Sequence, residues 1–163
     1  TFTSDHCPFI YESDTGKKKA GADTSFKYVP NGIPGVETRL PILFSKGVSE
    51  GRISLNQFVA LSATNHAKVY GMYPQKGTIA IGSDADIAIW DPAKRVTLSQ
   101  SMLNHNCDYT PYEGMELTGY PVTVISRGEL VAENGRPVGS AGRGKFVHRG
   151  KSSLVPSRRS CET

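Results

Sequence analysis

Cysteine is scarce in this sequence. The three cysteines among 163 residues, Cys7, Cys107 and Cys161, form no C-x-x-C pair. That excludes a disulfide framework and fits a reducing compartment. Long apolar runs are missing too: none approaches the ~20 residues of a membrane helix. No signal peptide is visible, so the cytoplasm is the expected location. The net charge is +4, and much of the excess sits in Lys17-Lys18-Lys19 and between Arg143 and Arg159. No aromatic residues are interleaved there to stack on bases. Both runs therefore read as solvated loops and not as a nucleic-acid surface. The chain starts at Thr1, without an initiator Met. Its length suits one domain or two small ones and falls short of the roughly 200 residues of a (β/α) barrel. A C-terminal piece of a larger protein is expected.

The first motif is Thr3-Ser4-Asp5-His6-Cys7-Pro8-Phe9. Thr1, Phe2 and Thr3 suit a strand, and Pro8, lacking an N–H, must end it. Asp5, His6 and Cys7 are all groups fit for metal or proton chemistry. In (β/α) barrels such groups sit where strands give way to loops. Residues 10–27 are polar and read as a surface loop over a site. Then Pro30-Asn31-Gly32-Ile33-Pro34-Gly35 makes a rigid, tightly turned loop, with the Asn31 amide on it offering two donors and an acceptor.

Residues 54–70 are the best helix pattern. Ser54 and Gln57 form a capping box, apolar residues recur at three- and four-residue spacings, and Gly71 stops it. His66 belongs to its polar face. Beyond Met72 the period shortens. Strands are expected at 78–81, 87–90 and 95–98, with a hairpin of 121–126 and 129–133 across Arg127-Gly128. Asn134-Gly135 is a second turn, and residues 146–148 are expected to close the sheet. The second half is thus a mostly antiparallel β unit.

Three clusters imitate functional sites. Asp84 and Asp86 lack the further oxygen ligands of a calcium loop and read as turn residues. Gly139-Ser140-Ala141-Gly142-Arg143-Gly144-Lys145 matches a phosphate-loop pattern, but Phe146 stands where Ser or Thr is needed and no helix follows. His105, Cys107 and Asp108 have no second ligand pair at metal spacing and read as structural.

Four stretches in order resemble the C-terminal third of the dihydropyrimidinase and D-hydantoinase family. They are Ser4-Asp5-His6-Cys7-Pro8-Phe9; Pro30-Asn31-Gly32-Ile33-Pro34-Gly35-Val36-Glu37-Thr38-Arg39; Gly77-Thr78-Ile79-Ala80-Ile81-Gly82-Ser83-Asp84-Ala85-Asp86-Ile87; and Asp108-Tyr109-Thr110-Pro111-Tyr112-Glu113-Gly114-Met115. The resemblance covers most of residues 1–150. It implies an α/β chain: the end of a (β/α)8 metal-dependent hydrolase barrel at 1–71, part of a mostly antiparallel β-sandwich at 72–150, and a basic tail at 151–163. The last barrel strand would be residues 2–5.

It also implies a chemistry, the hydrolysis of a ring amide in a small cyclic diamide, dihydropyrimidine or hydantoin. In the family two zinc ions hold the attacking hydroxide. The Asp matching Asp5 binds one zinc and shuttles the proton, and the Asn matching Asn31 binds the substrate ring. Family members form homotetramers. The family's metal histidines and carboxylated lysine have no counterpart here, since none of His6, His66, His105 and His148 falls at those positions. These residues alone are therefore expected to be inactive, with the remaining ligands on a longer chain or a second one. The alternative is a catalytically silent scaffold or signalling relative. A partial barrel would also expose apolar Phe2, Ile10, Leu55 and Phe58.

Overall fold

The computed structural model describes residues 1–18 and 25–154. Lys19, Asp23, Cys161 and the expected tail beyond Leu154 lie outside the described residues. Helix α1 is Arg39–Leu43 and runs into a π-helical stretch, Phe44–Ser49. Helix α2, Leu55–Val59, and α3, Asn65–Val69, are joined through a second π-helical stretch, Ala60–Thr64. The strands are β1, Ile87–Thr97; β2, Glu116–Ser126; β3, Glu129–Glu133; and β4, Arg136–Pro137. They are hydrogen-bonded in the order β1-β2-β3-β4. No helix among the described residues is long and apolar enough to cross a membrane.

The chain divides into two compact units. One holds Thr1–Phe2, Leu55–Ile89 and the chain from Pro121 on; the other holds Thr3–Ser54 and Trp90–Tyr120.

In the first unit, helix formation over 55–69 follows the predicted pattern, and Gly71, at φ 67°, ends it. Phe58 and Ala67 are the buried residues of α2 and α3. Phe58 was expected at an exposed surface and is instead enclosed, whereas Leu55 is 58% exposed. The Arg127-Gly128 hairpin forms as expected, with φ of 49° and 79°, the mirror-image turn whose twist suits paired strands. Its register runs Val124↔Ala132, then Ile125↔Leu130, so Val131 is an extra, bulged residue.

Two expected strands do not form in this unit. Residues 78–81 are irregular, with Ile79 and Ile81 fully exposed. An apolar run without a ladder neighbour does not become a strand. Residues 146–148 do not close the sheet either. The ladder ends at Arg136–Pro137, where proline has no N–H to extend it. Asp84 and Asp86 form ion pairs with Lys76, the first at 2.8 Å. Asp86 also accepts the Arg127 amide at 2.8 Å. Burial opposes the charge on Lys76, but hydrogen bonds to both carboxylates outweigh it and raise its pKa.

The core of the second unit is Leu98, Leu117 and Tyr120, packed against Ile42, Val96, Tyr112 and Met115. The Phe44 ring stacks on Trp90 with centroids 4.6 Å apart. The π-helical stretch has a polar task. Ser45 Oγ accepts the Thr118 amide at 3.0 Å, and Ser49 Oγ donates to the Thr118 carbonyl at 2.8 Å. Both main-chain groups of Thr118 are thereby satisfied.

Candidate active site

Within the second unit the first motif docks on the Asn31 loop. His6 and Ile33 form an isolated parallel bridge, and the Cys7 amide donates to the Ile33 carbonyl at 3.4 Å. The strand expected over 2–5 is absent. Proline explains this: Pro8 closes the first segment, Pro30 and Pro34 flank Ile33, and none has an N–H for a ladder. The His6 side chain provides what the ladder cannot. Its Nδ1 accepts the amides of Gly35 at 3.1 Å and Val36 at 3.3 Å. Gly32 has φ +88°, and a Cβ there would stand 2.4 Å from the Cys7 Cβ. Glycine permits both the backbone and the approach.

Asp5 and Asn31, the two predicted site residues, are both exposed. The parallel bridge pairs His6 with Ile33, and Asp5 and Asn31 lie one and two residues before that pair on their own segments. The structure therefore brings their two segments together. His6 is the site neighbour that sequence reasoning left without a task, and its partners lie 29 and 30 residues away.

A second contact holds the chain beyond Pro8. The Asp108 carboxylate accepts the amides of Tyr11 at 2.7 Å and Glu12 at 3.1 Å. The buried Cys107 thiol donates to the Phe9 carbonyl at 3.3 Å. Cys107 and Asp108 thus tether the chain from Phe9 to Glu12. The Tyr11 amide foremost holds the Asp108 carboxyl below its ordinary range. Further along, the Glu37 carboxylate takes the Asn104 amide at 2.7 Å and its side-chain NH₂ at 2.8 Å.

The described residues do not by themselves make a metal site. Among them no three His, Cys, Asp or Glu gather into a group able to hold an ion. Asp5 offers one carboxylate. His6 offers no free lone pair in this arrangement: with Nδ1 accepting, the neutral ring carries its proton on Nε2.

The model of the Amidohydrolase family matches residues 1–131. The chain belongs to that family. This amidohydrolase chain is 48% identical over 151 residues to the D-hydantoinase of Ralstonia pickettii, covering 93% of this chain and 32% of that protein. It is 44% identical over 149 residues to the dihydropyrimidinase of Rattus norvegicus, covering 91% and 28%. The crystal structure of dihydropyrimidinase from Brevibacillus agri superposes with a TM-score of 0.84 at 48% identity, covering 93% of this chain and 32% of that one. The chain spans about a third of the length of the curated relatives it matches. Its fold is of the amidohydrolase type with an antiparallel sheet, as in the hydantoinase structures.

Proposed function

We propose that this chain supplies the C-terminal part of a zinc-dependent cyclic amidase, which hydrolyses the ring amide of a dihydropyrimidine or hydantoin to an N-carbamoyl amino acid. The observation that carries this reading is the docking of the Asp5 segment on the Asn31 loop, in a chain close in sequence to D-hydantoinases and dihydropyrimidinases. Amide hydrolysis needs a base for the attacking water and an acid for the leaving nitrogen; one carboxylate serves both in turn. Asp5 is exposed for that work. The Asn31 amide can both donate and accept, which matches the alternating C=O and N–H groups of a cyclic diamide.

On this reading residues 1–71 end the barrel, residues 72–150 belong to the β-sandwich and residues 151–163 form a basic tail. Two zinc ions would need Asp5 together with ligands beyond the described residues, and the fragment alone is inactive. The assembled enzyme is a homotetramer in the cytoplasm.

The test is ring opening of dihydrouracil and hydantoin by the polypeptide that completes the site, with its zinc content measured. Asp5→Asn lowers kcat by about 10³-fold and leaves the unfolding midpoint in place. Asn31→Ala raises KM roughly tenfold. Substantial turnover by Asp5→Asn removes that carboxylate from the chemistry. A zinc-free, inactive wild type replaces the enzyme with a silent scaffold.

A further inference from the structure

We infer that His6 is a positioning residue that holds the Asn31 loop at a set distance from Asp5. The inference rests on the cyclic-amidase reading for what the loop binds, though not for the contact itself. Three features converge on it. The His6 Nδ1 accepts two successive loop amides, those of Gly35 at 3.1 Å and Val36 at 3.3 Å. Its own backbone bridges Ile33, so main chain and side chain of one residue grip the loop at two points. Pro30 and Pro34 deny the loop further ladder donors. Among the described residues, the Cys7 amide on Ile33 at 3.4 Å and the Lys17 ammonium on the Pro30 carbonyl also hold the loop.

Asp5 precedes His6 directly, and Asn31 stands two residues before Ile33. A clamp at His6 therefore sets the separation of the carboxylate from the amide. Without it the loop spends most of its time away from the binding-competent position. Apparent affinity falls by that occupied fraction, whereas the step after binding is little changed. The clamp also fixes the ring tautomer. An accepting Nδ1 must carry a lone pair, so the proton of the neutral ring is on Nε2.

Three measurements test this. In the full chain, His6→Ala speeds hydrogen exchange of the Gly35 and Val36 amides roughly tenfold, whereas His6→Asn, whose side-chain oxygen can accept near the Nδ1 position, restores most of the protection. In the completed enzyme, His6→Ala raises KM about tenfold with kcat within about threefold, and His6→Asn recovers it. In the wild type, ¹⁵N shifts report a proton-free Nδ1. Unchanged exchange at both amides overturns the clamp, as does a protonated Nδ1 in the neutral ring. Loss of bound zinc in His6→Ala with kcat collapsing overturns it in favour of a ligand. If His6→Ala does not fold, the wild-type tautomer and the exchange of His6→Asn still decide. If the wild type opens no cyclic diamide, the functional reading falls while the exchange and tautomer results judge the clamp separately.

Discussion

The turns at Arg127-Gly128 and Asn31-Gly32 both use a glycine with left-handed backbone, at φ 79° and 88°. Their surroundings differ. Among the described residues nothing lies within 4 Å of where a Cβ at Gly128 would stand, whereas at Gly32 that atom would meet Cys7 at 2.4 Å. The hairpin turn answers to the strands on either side of it, through pairs such as Ser126↔Glu129. The loop turn answers to a segment some thirty residues earlier, through His6. One conformation is decided locally and the other by docking. The docked one carries the candidate chemistry, and its stability is that of the contact, not of the turn.

Three changes separate these cases. Gly32→Ala has the largest effect. Left-handed backbone and the collision with Cys7 together cost about 3 kcal/mol, with the loss capped by local undocking of the loop. Urea unfolding, read with amide exchange at Cys7, measures it; an unchanged Cys7 amide means the contact is not tight.

Next is the Asp108 tether. Its carboxyl is held low first by the Tyr11 amide. The tether is therefore fully present above about pH 4 and is lost as pH falls through the lowered value. Protection of the Tyr11 and Glu12 amides from hydrogen exchange should fall in that window, and that of the β3 amides should not. A fall in both together would mean the hairpin shares the tether's fate.

Smallest is Gly128→Ala. It has room, so only the backbone term remains, about 1 kcal/mol. A cost as large as that of Gly32→Ala would erase the distinction between the two turns.

The same contrast explains what was legible in the sequence. The turns at Arg127-Gly128 and Asn134-Gly135, and the helix stop at Gly71, are written in neighbouring residues and formed as read. The motif around Asp5 was recognisable, and so was the Asn31 loop. Their mutual docking was not legible, because no local pattern announces that His6 will accept amides from Gly35 and Val36. The failures share this cause. Residues 78–81 and 146–148 have strand-like composition, yet a strand requires a neighbour, and composition names none. Periodicity puts Phe58 on the apolar face of its helix; a partial barrel was expected to leave it exposed, yet it is 6% exposed. The π-helical stretches were invisible beforehand. At Phe44–Ser49 the polar demand comes from Thr118, far along the chain.

The bulge at Val131 has a consequence for parity. Strand side chains alternate faces, so one surplus residue reverses the count for everything after it. Ala132 and Glu133 stay opposite Val124 and Thr123 only because the ladder skips Val131. Deleting that single valine would leave both pairs in an unbroken ladder, whereas drawing it into the ladder would turn the end of β3 over, carrying Glu133 to the opposite side of the sheet before the Asn134-Gly135 turn begins.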